Sequence, residues 1–146
     1  TEAGPKVLEF NARFGDPEME VLARLVWNFP ELIEAAVDGK LAEVKLETNL
    51  GYAVCVILVG KEYPNGNSVG VPIFGIEEVE KIPGVKVYHC GTRIVDGRLE
   101  TNGGRILAVT ATGNDIEEAR VTAYAAVCHI HFEGMQYRTD IGADVL

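Results

Sequence analysis

The densest chemistry in this sequence lies in Glu9-Phe10-Asn11-Ala12-Arg13, within residues 7–18. Alternate side chains of a β-strand share a face. As a strand, this segment sets Glu9, Asn11 and Arg13 in one row and Leu8, Phe10 and Ala12 on the opposite side. A carboxylate beside an amide oxygen suits Mg²⁺, a hard cation that takes oxygen ligands and keeps waters or substrate phosphates on its other positions. A guanidinium one step further suits a phosphate or carboxylate gripped by a two-pronged fork. The same pattern also fits an edge strand with an ordinary polar outer face. Beyond the row, Gly15 lets the chain turn, and Asp16 can N-cap a helix with Pro17 at its first position and Glu18 in its first turn.

A second signal is Thr101-Asn102-Gly103-Gly104-Arg105. Paired glycines let backbone N–H groups approach a ligand and form an anion-binding nest, to which Arg105 adds charge. Asn-Gly is equally a tight hairpin turn. A third is His89-Cys90-Gly91-Thr92. His89 and Cys90 are strand neighbours facing opposite ways, which argues against a nucleophile–base pair. His129 and His131, two apart in a late helix, diverge and do not suggest a shared metal.

These residues need elements to hold them. The pattern predicts a strand over 6–11, then a helix over 17–28 with Leu22, Leu25, Val26 and Phe29 on one face. Pro30 ends that helix and opens another, which carries Leu32, Ile33, Ala36 and Val37 on one side and closes at Gly39. Residues 50–59 are apolar on both faces and read as a central strand buried on both sides. Tyr63-Pro64-Asn65-Gly66-Asn67 is a loop, and 73–79 is a connector with a solvated acidic cluster at Glu77, Glu78 and Glu80. A strand over 85–95, the Asp96-Gly97 hairpin turn, a return over 98–101, a bend at 102–104 and a strand over 105–112 follow. Asn114 is the expected N-cap of the last helix, with Glu117 completing a capping box and Ala119, Ala123, Ala126, Val127 and Ile130 on the buried side. Hairpins in place of strand–helix crossovers imply an α+β fold, an antiparallel sheet covered by helices.

Composition narrows the function classes. The 146 residues carry a net charge of −9, which argues against non-specific binding to nucleic acid or to anionic membranes. Cys55, Cys90 and Cys128 have no close pairing and are expected to be buried free thiols in a reducing compartment. The apolar run at 53–60 is too short to cross a bilayer, and a cytoplasmic protein is the default expectation.

Glu-Phe-Asn-x-Arg-Phe-Gly-Asp-Pro-Glu at residues 9–18 resembles the last active-site strand of the ATP-grasp ligases, and in particular that of the phosphoribosylamine–glycine ligase family. The Tyr63-Pro64 loop, His89-x-Gly91-Thr92, Thr101-Asn102-Gly103-Gly104-Arg105 and Asp140-Ile141-Gly142 look like the C-terminal domain of that family, in order and at similar separations. The resemblance implies that residues 1–16 are the terminal strand of an otherwise absent ATP-grasp domain and that 17–146 form the C-terminal α+β domain. It implies a ligase of purine biosynthesis that joins 5-phosphoribosylamine to glycine through glycyl phosphate, splitting ATP to ADP and phosphate. Glu9 and Asn11 would hold Mg²⁺ (or Mn²⁺) between the ATP phosphates, and Arg13 would act catalytically by stabilising the transferred phosphoryl group. Asp16, Asn102, Gly103, Gly104 and Arg105 would contact substrate, with phosphoribosylamine at the Gly103-Gly104-Arg105 turn.

The chain departs from that pattern at Met19-Glu20, where the family often has Thr-Gln, and at Lys61-Glu62, where it often has two glycines. It also lacks a glycine-rich phosphate loop followed by a helix and a lysine. It opens on Thr1-Glu2-Ala3-Gly4 and is expected to be a fragment, silent alone, whose partners are glycine, phosphoribosylamine, ATP and the remaining domains of the same enzyme. ATP would be bound mainly by those domains. The alternative is a non-catalytic α+β binding or interaction module derived from an ATP-grasp ligase. A third reading, the tail of a related ATP-grasp carboxylase or ligase, is disfavoured by the Thr-Asn-Gly-Gly-Arg turn. As a corollary, apolar surface is expected to be exposed near Phe10, Phe14 and Leu22.

Overall fold

A computed structural model describes residues 4–7 and 9–143. The fold is α+β, as expected, but it holds two three-stranded antiparallel sheets where the sequence pattern suggests one. The first contains β1 (Tyr52–Val59), β6 (Arg105–Gly113) and β3 (Val85–His89) in the order β1-β6-β3. The second contains β2 (Ser68–Pro72), β5 (Arg98–Gly103) and β4 (Thr92–Val95) in the order β2-β5-β4.

The central strand is β6, not β1. Residues 106–111 of β6 are all buried, and β6 pairs on both sides. β1 is apolar on both faces because helices cover both. Facial burial and lateral pairing are separate properties, and composition reports only the first. On one face, Val54, Val56 and Leu58 lie opposite Ala111, Val109 and Leu107, with Val85 and Val87 on the far side. Helix α4 (Ile116–Val127) covers this face with buried Ala119, Ala123, Ala126 and Val127. Small side chains let the helix approach the sheet closely. Helix α1 (Glu18–Leu25) packs against β1 and β6, and its Arg24 Nη2 donates to the Gly84 carbonyl at 3.1 Å.

The predicted strand over 85–95 is broken at Cys90-Gly91, where the chain leaves the first sheet for the second. A Cβ on Gly91 would lie 2.6 Å from the Arg105 carbonyl oxygen and 2.8 Å from the Gly103 Cα. Two backbones therefore cross in contact, and only glycine fits. Asp96-Gly97 forms the expected two-residue hairpin, with φ of 49° and 75°. The 102–104 segment is not a hairpin: Asn102 and Gly103 belong to β5, and Gly104 alone separates β5 from β6. Neither Gly103 nor Gly104 has positive φ, so the αR–αL nest that paired glycines can form is not present here.

The ends of the elements also shift. Helix α1 stops at Leu25, and α2 (Phe29–Val37) takes Pro30 in its first turn, is capped by Asp38 and is followed by Gly39 with φ 71°. Leu41–Glu43 adds a short 3-10 turn, and α3 (Ile76–Val79) occupies the acidic connector. The α4 cap is Asp115, whose Oδ1 accepts from Glu118 N at 2.8 Å, while the Glu118 carboxylate accepts from Asn114 N at 2.7 Å. The capping box thus sits one residue later than Asn114 and Glu117. His129 and His131 lie beyond the helix. Cys55 is buried as expected, whereas Cys90 and Cys128 are exposed; all three are free.

The predicted strand over 6–11 is not formed among the described residues, and Leu8 lies outside them. A strand is stabilised by its neighbours' hydrogen bonds, and among the described residues no strand pairs with this segment. Phe10 and Phe14 are 91% and 54% exposed, matching the expected apolar surface, while Leu22 is half-buried.

Candidate functional site

A cavity of about 470 Å³ opens between the start of α1, β1 and the C-terminal segment. Its floor is apolar, made by Cys55, Ile57 and Val59 of β1; Tyr63, Arg105 and Arg138 bring polar groups to it. A bulge creates this combination. The β1–β6 register shifts between Leu58 and Val59, so that Val59 faces Arg105 where unbroken pairing would have set Ile106. The shift places Arg105 on the Cys55–Ile57–Val59 face, a re-aiming of a single side chain of the kind bulges provide.

Three contacts fix Arg105. Its Nε donates to the Tyr63 hydroxyl at 3.2 Å. Its Nη1 donates to the Asp16 backbone carbonyl at 2.8 Å and lies 3.2 Å from Asp16 Oδ1. The hydrogen bond that Arg105 donates to Tyr63, followed by the charge of Asp16, raises the Arg105 pKa above its ordinary value. Asp16 does not cap α1: Pro17 stands at the cap position without a side-chain cap bond, and the Asp16 carboxylate turns to Arg105.

The segment after Phe132 is strapped to α4. The Tyr124 hydroxyl donates to the Arg138 carbonyl at 2.8 Å and accepts from Ile141 N at 3.0 Å. Arg120 Nε donates to the Ile141 carbonyl at 3.1 Å. This holds Arg138 at the cavity, where its Nε and Nη2 grip the Asp140 carboxylate at 2.9 and 2.6 Å and depress the Asp140 pKa.

Behind Asp16, one carboxylate oxygen of Asp16, one of Glu20 and the Cys90 sulfur lie within 4.8 Å of one another. Cys90 is exposed as a residue, but its sulfur is partly withdrawn from water at this corner; that desolvation, then the charges of Asp16 and Glu20, push its thiol up to about 11. Burial pushes the Cys55 thiol up further.

Of the sequence-predicted site residues, the fold brings together Asp16 and Arg105, with Gly104 behind them against the Tyr63 ring. Gly103 packs on Gly91, and Asn102 is an exposed strand residue whose N–H donates to the Gly91 carbonyl at 2.7 Å. Neither lines the cavity. Glu9, Asn11 and Arg13 are exposed and outside it. Asn11 Nδ2 donates to Glu9 Oε1 at 3.0 Å, and Arg13 Nη1 donates to the Phe14 carbonyl at 2.7 Å. The sequence reading missed Tyr63 as a site residue, although its loop is one of the motifs, and missed Arg138, which the Arg138-x-Asp140 spacing signals.

Comparison with known proteins points to one family. Residues 53–144 match the family described as "Phosphoribosylglycinamide synthetase, C domain". The phosphoribosylamine–glycine ligase of Caldanaerobacter subterraneus is 49% identical over 144 residues, 98% of this chain and 34% of that protein. The ligase of the same name from Rhodopirellula baltica is 47% identical over 148 aligned residues, 100% of this chain and 34% of that protein. The crystal structure of phosphoribosylamine–glycine ligase from Thermotoga maritima superposes with a TM-score of 0.72 at 37% identity, covering 93% of this chain and 33% of that one. The chain thus spans about a third of the length of the relatives it matches. By its match over residues 53–144, this chain belongs to the phosphoribosylglycinamide synthetase C-domain family.

Proposed function

We propose that the whole protein of which this chain is the C-terminal part joins 5-phosphoribosylamine to glycine, with ATP split to ADP and phosphate. In this reading the cavity beside Arg105 receives phosphoribosylamine. The observation that carries it is the direct contact between Asp16, from the N-terminal motif, and Arg105, from the Gly-Gly-Arg motif. The two motifs that resemble the ligase family meet at one cavity.

The chemistry asks three things of such a site. The sugar phosphate must be held, its amine must be aimed at the activated glycine, and water must be kept from the acyl phosphate. Arg105 supplies a fixed cation for the phosphate. The apolar Cys55–Ile57–Val59 floor excludes water beneath the sugar. The amine then attacks the glycyl carbonyl carbon, phosphate departs as the C–O bond breaks, and the attacking nitrogen loses a proton.

Glu9 and Asn11 offer a carboxylate and an amide oxygen on exposed, neighbouring side chains, a donor set that fits Mg²⁺. When bound, the ion would neutralise charge on the ATP phosphates. Two ligands alone hold Mg²⁺ weakly, and the ATP site belongs to the portion of the protein beyond this chain. Arg13 is assigned to the transferred phosphoryl group. We place the domain boundary at residues 16 and 17, supported by the packing of α1 on β1 and β6. We place the protein in the cytoplasm, where its three free cysteines remain reduced; among the described residues no helix is long and apolar enough to cross a membrane.

The test is steady-state kinetics of the full ligase with Arg105→Ala. The expected result is a KM for phosphoribosylamine raised about tenfold or more, the loss of one charge-assisted contact, with the KM for ATP unchanged. An unchanged KM for phosphoribosylamine rejects the assignment of the cavity.

A further inference from the structure

We propose that Tyr63 and Asp16 are positioning residues: together they lock the Arg105 guanidinium so that its Nη2 edge is presented to the phosphate of the sugar substrate. This rests on the assignment of the cavity to phosphoribosylamine made above. Five N–H groups radiate from a guanidinium. The Tyr63 hydroxyl takes the one on Nε, and the Asp16 carbonyl and carboxylate oxygens take those on Nη1. Among the described residues, Nη2 makes no such bond. An arginine held on one edge and at one corner keeps a single rotamer, so its remaining donors are aimed before substrate arrives. A loose arginine would have to be immobilised in every binding event.

Gly104 acts in the same arrangement. A Cβ at Gly104 would lie 3.0 Å from Tyr63 Cδ2 and 3.4 Å from Asn67 Oδ1. The bare backbone lets the Tyr63 ring lie flush beside Arg105. The second glycine of the Gly-Gly-Arg motif thus admits an aromatic ring, a different role from lending an N–H to an anion. The Asp16 contact also joins Arg105 to the N-terminal motif, and so sets the phosphate grip relative to that motif.

The experiment uses the full ligase, with phosphoribosylamine formed in the assay from ribose 5-phosphate and ammonia. Tyr63→Phe removes one hydroxyl and keeps the ring. It is expected to raise the KM for phosphoribosylamine about fivefold, the effect of one lost hydrogen bond, with kcat within about twofold and the KM values for glycine and ATP unchanged. Gly104→Ala, which displaces the ring, should reproduce that pattern. In an Arg105→Ala background, Tyr63→Phe should have no further effect, because the group it positions is gone. If Arg105→Ala raises the KM and Tyr63→Phe does not, the positioning role is overturned while the cavity assignment stands. If Arg105→Ala itself leaves the KM unchanged, the cavity assignment falls first. A Tyr63→Phe effect that persists undiminished without Arg105 also overturns the proposal.

Discussion

Arg105 Nη1 donates to the Asp16 backbone carbonyl at 2.8 Å across a sequence separation of 89. The bond ties the entrance of α1 to the first residue of the central strand. Its ionic component is modest, because both side chains are about 40% exposed and half-exposed pairs contribute only about 0–1 kcal/mol. Its local effect is larger than its global one. Arg105→Ala in this 146-residue chain is expected to leave the urea midpoint nearly unchanged and to speed proteolytic cleavage before α1. A variant that resists the protease as the parent does would show that α1 is held by its sheet packing alone.

The crossing of the two sheets is the opposite case, a backbone contact with no slack. A Cβ at Gly91 would press on the Arg105 carbonyl at 2.6 Å and the Gly103 Cα at 2.8 Å, and neither atom can rotate away. Gly91→Ala should therefore cost about 2–3 kcal/mol, in the range of overpacked cores, read as a lowered midpoint in urea. The same change at Gly97, whose Cβ would meet nothing within 4 Å, costs only the strain of its φ of 75°. Equal losses at the two positions would reject the steric account.

Much of this is legible in the sequence, and the reasons differ from one element to the next. The Asp96-Gly97 hairpin and the alanine face of α4 depend on local spacing, and both stand where the pattern puts them. The Asp115–Glu118 box was displaced by one residue because Asn114 and Asp115 are both good caps, and only the backbone turn decides between them. The order β1-β6-β3 was not legible, since lateral pairing is not written in facial hydrophobicity. The site was half legible. Arg105 and Asp16 carry motif signals, whereas the bulge that turns Arg105 into the cavity depends on two strands whose pairing the sequence does not state.

Cys90 gives a pH-dependent readout of the same corner. Partial desolvation of the sulfur and the nearby Asp16 and Glu20 carboxylates push its thiol from 9.0 up to about 11, although the residue as a whole is exposed. The neutral thiol is favoured in the folded state, so its contribution to stability is complete below pH 9 and is lost as pH rises toward 11. Alkylation by iodoacetamide at pH 8 should accordingly be slow at Cys90, with only about one thiolate in a thousand, and should climb steeply up to pH 11. Cys55, buried and shifted further, should react only on unfolding. Mass-spectrometric mapping of the labelled peptides checks the order, and prompt labelling of Cys90 at pH 8 would contradict the packing around its sulfur.

A second concave face is opposite in character to the cavity. Phe14, Phe29, Leu32, Ile33, Val37 and Leu41 line a groove of about 730 Å³, and Val37 is 83% exposed. The Phe14 and Phe29 rings meet at 5.3 Å between centroids, tilted by 56°. Contiguous apolar surface of this kind is uncommon on a solitary domain. The 146-residue chain on its own should therefore self-associate, with a sedimentation coefficient that rises over roughly a hundredfold range of concentration. Ile33→Glu with Val37→Glu should abolish that rise. Both positions are exposed, so each change should alter stability by no more than about 0.5 kcal/mol, and the urea midpoint separates lost association from lost folding. A chain that sediments as a monomer throughout, with both side chains unaltered, would show that the groove is too weakly apolar to hold two copies together.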